Sequence, residues 1–332
     1  MPFPLPAAND ELLAPPDAVE AQFLARGVAT AIAPIGGLTL LQGVLMQSMF
    51  EAMTGHEVDL GQRPIDPVSF ADGMLDVARQ YAQGHLGLAA VDFERNGFTA
   101  DWSSKEQAAP HTSRELGDAW ALSVDDPELA ARWTALEQLP AGTLGRSITE
   151  FYRARGFHDP GMPGSASPLL AQHDWAHIVA DYGTKVESEL EVFAFIARAN
   201  DDAKGFSLLA MVVSLFETGY LEEGAGLFEA FPGQLSHDGV AVRVADAMRR
   251  GALVFGSVDF MAVDWFEIAD LSTDEARRRF GVVEKPQLAL DAGSVGPWQP
   301  GGITEIQWNA GHELAASEGR PHDSFGASVG PG

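Results

Sequence analysis

Two histidines four residues apart, His173 and His177, with Asp174 between them and Glu189 twelve residues further on, are the side chains best suited to hold a metal ion. Residues four apart on an α-helix stack on one face, where two imidazoles can reach a single ion. Leu169, Leu170, Ala176 and Ala180 share that face, which turns both rings toward a core. Such pairs are common by chance, so the motif needs a third ligand. Glu189 falls in the stripe of Val186, Leu190, Phe193, Ile196 and Ala197. A carboxylate among apolar side chains is costly unless it is paired or binds a metal, and this marks Glu189 as the third ligand. Asp174 points about 100° around the helix from His173. It serves as a fourth ligand or as an acceptor that orients an imidazole, and it is the candidate catalytic group because it can shuttle a proton. With no cysteine in the chain, every ligand must be nitrogen or oxygen. That donor set suits Zn2+, and also Fe2+ or Mn2+.

A continuous helix would carry Glu189 about 18 Å away from His177, so the chain must turn between them. Ser167 can cap a helix with Pro168 in its first turn. Asp181-Tyr182-Gly183 offers a glycine stop, and Thr184 with Glu187 reads as a capping box that starts the next helix. Glu187 is then structural, while Glu191 shares an outward side with Arg198. The result is a helix-turn-helix hairpin that brings Glu189 back beside the histidines.

The whole chain reads as all-α. Helical spacing covers Thr39 to Thr54, Ser69 to Tyr81, Pro127 to Glu137, Thr143 to Arg155, Pro168 to Asp181, Thr184 to Ala199, Gly205 to Phe216, and His237 to Ala269 with interruptions. Four regions follow: an irregular lead-in over 1–26, a helical N-terminal region over 27–115, the metal domain over 116–285, and an irregular tail over 286–332. The tail histidines His312 and His322 receive no chemistry.

Forty-seven acidic against 21 basic residues give a net charge of −26. That charge repels nucleic-acid phosphates and excludes nucleic acid as a partner. The most apolar stretch, Phe206 to Phe216, is much shorter than the ~20 residues of a membrane span. Met1 to Pro16 has no export or import pattern. A cytoplasmic protein is expected, with any membrane contact peripheral, on the inner face, and driven by apolar surface.

Other His-Asp proteins test the motif. An HD-type phosphohydrolase needs a further His and Asp, and no pattern links His111 or His158 to the pair. The order His173-Asp174-x-x-His177, eleven residues, Glu189 instead resembles the metal motif of the Coq-four family of ubiquinone-biosynthesis proteins. Upstream, LPAGTLGRSITEFYRARGF from Leu139 to Phe157 is similar to that family's Leu-Pro-x-Gly segment, with Gly142, Gly145 and Arg146 in place. Downstream, Trp265 and Glu267, then Glu275, Arg277 and Gly281, resemble its closing element. The likeness spans about 116–285. It departs from the family in SASPLLAQ, which lacks the usual arginines, and in Phe266, which splits the closing Trp-Glu.

The resemblance implies an all-helical protein with an apolar cavity for a polyprenyl chain and Zn2+ at its mouth, held by His173, Asp174, His177 and Glu189. It implies a prenylated quinone precursor, or another isoprenoid lipid, as ligand and oxidative replacement of a ring carboxyl by hydroxyl as the activity. The alternative is a non-catalytic prenyl-lipid-binding scaffold for quinone-biosynthesis enzymes. Self-association into a homo-oligomer is expected. FSLLAMVVSLF, apolar around its axis, fits the wall of such a cavity or a plain core helix.

Overall fold

The computed structural model describes Glu57 and residues 125–163, 165–166, 168, 170–199 and 237–322. The lead-in, the N-terminal helical region, the apolar stretch Gly205 to Phe216 and the Ser167 cap lie outside these residues. Among the described residues there are eight α-helices and no strand, only an isolated bridge between Thr143 and Ser272. The all-α expectation holds there. No described helix is long and apolar enough to cross a membrane.

α1 (Pro127–Ala135) starts as its sequence dictates, with the Asp126 side chain accepting from the Leu129 amide and Pro127 at the first position. α2 (Leu144–Arg155) is capped by Thr143 and stopped by Gly156 in the left-handed conformation. α3 (Leu170–Ala180) and α4 (Val186–Ala199) form the expected hairpin. α5 (Val240–Ala252), α6 (Thr273–Phe280), α7 (Gln287–Asp291) and α8 (Glu305–Ser317) complete the order. One core of Leu144, Ile148, Phe151, Trp175, Val179, Leu190, Phe195, Val244, Phe260 and Trp265 runs through α2 to α5 and the segment that follows α5.

The three sequence segments that set up the family resemblance meet around α3. Gly145 donates its amide to Ala269 O at 2.8 Å, and Leu144 to Leu271 O at 2.7 Å, so the start of α2 is bonded to the segment after Trp265. A Cβ at Gly145 would sit 2.6 Å from Leu139 and 2.9 Å from Ala269, and only glycine permits the approach. Trp265 lies parallel to Trp175 of α3, ring centroids 5.7 Å apart. Ser272 and Glu275 form a capping box for α6, and Arg277 then reaches the end of α3, donating to Val179 O and Ile178 O, both at 3.0 Å. A guanidinium on the last carbonyls of a helix satisfies acceptors that have no partner within it.

The tail corrects the expectation of irregularity. α8 begins on a capping box of Thr304 and Gln307 and packs on α2. Glycines and scattered Trp and His had masked the Thr-x-x-Gln start signal. His312 and His322 stack at 3.9 Å beside Trp308, and the His322 ring bonds to Ala154 O of α2, so they fasten the tail.

Candidate metal centre

The hairpin turn differs in detail from the sequence expectation. The left-handed residue that ends α3 is Asp181, at φ 63°, not Gly183. Aspartate tolerates this conformation better than most side chains. Gly183 serves another need, since a Cβ there would meet Gly302 Cα at 2.6 Å. Thr184 does not form the capping box. Its hydroxyl faces Gly302 O and Gln307 Oε1 in the tail and accepts from Arg155 Nε at 2.9 Å, while Lys185 O accepts the first amide bonds of α4. Glu187, freed from capping, pairs with His237 at the surface at 2.7 Å. Glu191 is not outward: it is buried on Arg243 of α5 at 2.7 Å. A salt bridge from a helix fifty residues away leaves no trace in local periodicity.

The hairpin brings His173, Asp174, His177 and Glu189 together and buries all four. His173, Asp174 and His177 form a group able to hold a metal ion, their ligand atoms lying within 4.8 Å of one another. Glu189 Oε2 lies 3.4 Å from Nε2 of both histidines, and His173 Nε2 lies 3.5 Å from Asp174 Oδ1. These separations exceed an N–H···O bond. Donors ~2.1 Å from a central ion at tetrahedral angles stand roughly 3.4 Å apart. The three contacts that link Glu189 to both histidines and His173 to Asp174 match that separation.

The rings are set for the task. His173 Nδ1 faces Leu170 O, and His177 Nδ1 faces Tyr182 O at 3.2 Å. Backbone acceptors hold the ring proton on Nδ1 and turn the Nε2 lone pairs inward, as in histidines that bind metals. His177 Nε2 has no hydrogen-bond partner although the residue is 0% exposed. Such a buried atom calls for a ligand. The donor set and the orphaned nitrogen both fit the cation that the sequence implied.

Sequence reasoning missed two residues of α2. Tyr152 donates its hydroxyl to Asp174 Oδ2 at 2.5 Å. Arg155 is fully buried, stacks on Phe151 with its guanidinium carbon 3.9 Å from the ring centre, and donates to Pro297 O and Gly302 O at 2.9 Å each. Phe151 in turn lies against the His177 ring at 5.6 Å. Arg155 is the last residue of α2 and Tyr152 lies three before it, in the Leu139 to Phe157 segment, where the sequence reading singles out only Gly142, Gly145 and Arg146. Their spacing from Phe151 and Ile148 was the available signal, since it turns them inward.

Charge follows from geometry. For Glu189, burial alone would raise the pKa, but the flanking His177 and His173 overcome it and hold the carboxyl down at about 2. Burial works against protonation of His173, yet Asp174 and Glu189 raise it to about 9. Burial raises Asp174, and the histidines and Tyr152 only partly offset this. In the metal-free protein a proton on His173 thus stands in for the cation. Because its folded pKa lies above the unfolded value near 6.5, that stabilisation is complete below pH ~6.5 and is lost as pH rises through about 9. A metal displaces the same proton, so its affinity rises across that window, by up to about tenfold per pH unit. Thermal unfolding between pH 6.5 and 9 should show chelated protein losing stability while metal-supplemented protein gains on it. Parallel curves would show that no proton is exchanged at His173.

No protein-family model and no curated protein matches this sequence. A solved structure from Nostoc punctiforme PCC 73102, provisionally assigned to ubiquinone biosynthesis, is similar to this chain at 21% identity with a TM-score of 0.32. The match covers 65% of this chain and 90% of that one. A TM-score of this size does not establish a shared fold.

Proposed function

We propose that the chain uses a metal ion held by His173, His177, Glu189 and Asp174 to bind the carboxylate of a prenylated aromatic acid and promote its replacement by hydroxyl, as in ubiquinone biosynthesis. The observation that carries the metal reading is the buried group of His173, Asp174 and His177, with Glu189 Oε2 3.4 Å from Nε2 of both histidines. The substrate class rests on the Coq-four resemblance of the three segments that pack around α3. When bound, the ion supplies Lewis-acid polarisation of a carboxyl or phenolate oxygen.

Charge supports an anionic ligand. Burial draws Arg155 down to about 9, with Asp174 and Glu189 sustaining its charge, so it remains a cation at neutral pH. A divalent ion and Arg155 against two carboxylates leave one positive charge in a site closed to water, and one exogenous monoanion cancels it. A benzoate-type carboxylate meets that need.

In the proposed reaction the carboxyl leaves as carbon dioxide and one atom of dioxygen becomes the ring hydroxyl. A reductant supplies two electrons, with two protons the second oxygen atom forms water, and a third proton completes the ring hydroxyl, since the substrate enters as its carboxylate. Asp174, beside His173 and bonded to Tyr152, is placed to hold or move a proton at the site. Metal-replete protein given a polyprenyl 4-hydroxybenzoate-type acid, with a reductant, should release carbon dioxide in air and none without oxygen. Asp174→Asn should lose at least 10²-fold in rate while lipid stays bound. No release from any such acid by metal-replete protein would remove the enzyme reading.

The scaffold reading has its own support. His177 is 0% and Glu189 2% exposed, and four protein donors can close a tetrahedral shell, as in structural sites. There the ion pins α3 to α4 and the chain binds prenyl lipid without turnover. Retained lipid with no carbon dioxide release is its signature.

A further inference from the structure

The geometry points to Tyr152 as the residue that limits Asp174 to a single metal-binding oxygen and so fixes the coordination number of the site. This inference rests on the metal reading above.

Tyr152 belongs to α2, outside the hairpin that carries every ligand. Its ring is 1% exposed and is packed against Trp133 at 5.0 Å, Phe157 at 5.5 Å and Phe151 at 6.2 Å. A tyrosine wedged this way cannot swing its hydroxyl elsewhere without opening the core. The hydroxyl meets Asp174 Oδ2 at 2.5 Å, within the short range of O–H···O⁻ bonds to a charged acceptor. The other oxygen, Oδ1, stands 3.5 Å from His173 Nε2, close to the 3.4 Å that separates the same nitrogen from Glu189 Oε2. Oδ1 of Asp174 thus faces the histidines and would be the oxygen offered to an ion, while Oδ2 is held back by Tyr152.

The consequence is a count of donors. With Asp174 and Glu189 each giving one oxygen, the protein supplies two nitrogens and two oxygens, which suits zinc. Releasing Oδ2 lets Asp174 bind through both oxygens and adds a fifth donor. An oxygen-richer, higher-coordinate shell favours manganese or magnesium. Tyr152 is therefore a positioning residue that acts through Asp174.

Cobalt substitution reads the count directly, because four-coordinate Co2+ absorbs visible light far more strongly than five- or six-coordinate Co2+. Full-length parent protein loaded with Co2+ should show the strong band. Tyr152→Phe should lower it several-fold, weaken Zn2+ binding by about 10- to 100-fold and leave Mn2+ binding unchanged or tighter. In an Asp174→Ala background, adding Tyr152→Phe should change none of these. Asp174→Asn, whose amide offers one oxygen, should keep the strong band and serves if Tyr152→Phe does not fold.

An unaltered spectrum and unaltered affinities in Tyr152→Phe would overturn the inference. So would an equal loss in the Asp174→Ala background, a weak band in the parent, or a band that Asp174→Asn abolishes. A parent that binds neither Co2+ nor Zn2+ defeats the metal reading itself, which is a different result.

Discussion

Glu189→Ala protein should be purified with almost no metal, where the parent carries about one ion per chain. The neighbouring glutamates make the measurement discriminating. Glu187 pairs with His237 at the surface, and Glu187→Ala should keep both metal and stability. Glu191 is buried on Arg243, and Glu191→Ala should keep the metal while losing about 3–5 kcal/mol of stability from the stranded guanidinium. His177→Ala should behave like Glu189→Ala. Both variants also lose the linkage by which free metal at 1,000 times its Kd stabilises the parent by about 4 kcal/mol. Elemental analysis and unfolding with and without chelator read the four variants. Parent-like metal in Glu189→Ala would show that the donors do not bind the ion together.

Arg155→Met is expected to destabilise the protein by about 3–5 kcal/mol although Arg155 binds no metal. Its guanidinium bonds to Thr184 Oγ1 beside α4, to Phe151 O in α2, and to Pro297 O and Gly302 O in the tail. Methionine fills much of the volume but takes the guanidinium donors from Pro297 O and Thr184 Oγ1, leaves Gly302 O to Thr184 alone, and removes the charge that balances Asp174 and Glu189. Urea unfolding of metal-loaded protein should show the lower midpoint with an unchanged slope. A loss under 1 kcal/mol would mean that the tail is held by other contacts.

The parts of this architecture that a reader of the sequence could find are the local ones. His173 and His177 share a helix face by spacing, the break before α4 is forced by distance, and Glu189 stands apart from Glu187 and Glu191 by its apolar neighbours. The spans of α1 to α4 follow within two residues from capping and periodicity. What escaped depends on partners far along the chain. Thr184 was a plausible cap until Arg155 and Gln307 claimed its hydroxyl. Glu191 looked solvated because Arg243 lies fifty-two residues on. Tyr152 and Asp174, twenty-two residues apart on different helices, could be joined only by packing. The start signal of α8, Thr304 to Gln307, was legible and was hidden by the composition around it.

The clamp from the tail also sets an order of events during synthesis. Thr184 meets Gln307 across 123 residues, and Arg155 meets Gly302 across 147. At about 5–20 residues per second, the ribosome delivers the histidine hairpin some 6–25 seconds before the segment that fastens it. For that interval the nascent ligands stand in an unlocked hairpin, within reach of whatever cation the surroundings hold. On the metal reading proposed above, an ion taken up in that interval would reflect supply at the ribosome as well as the preference of the finished site.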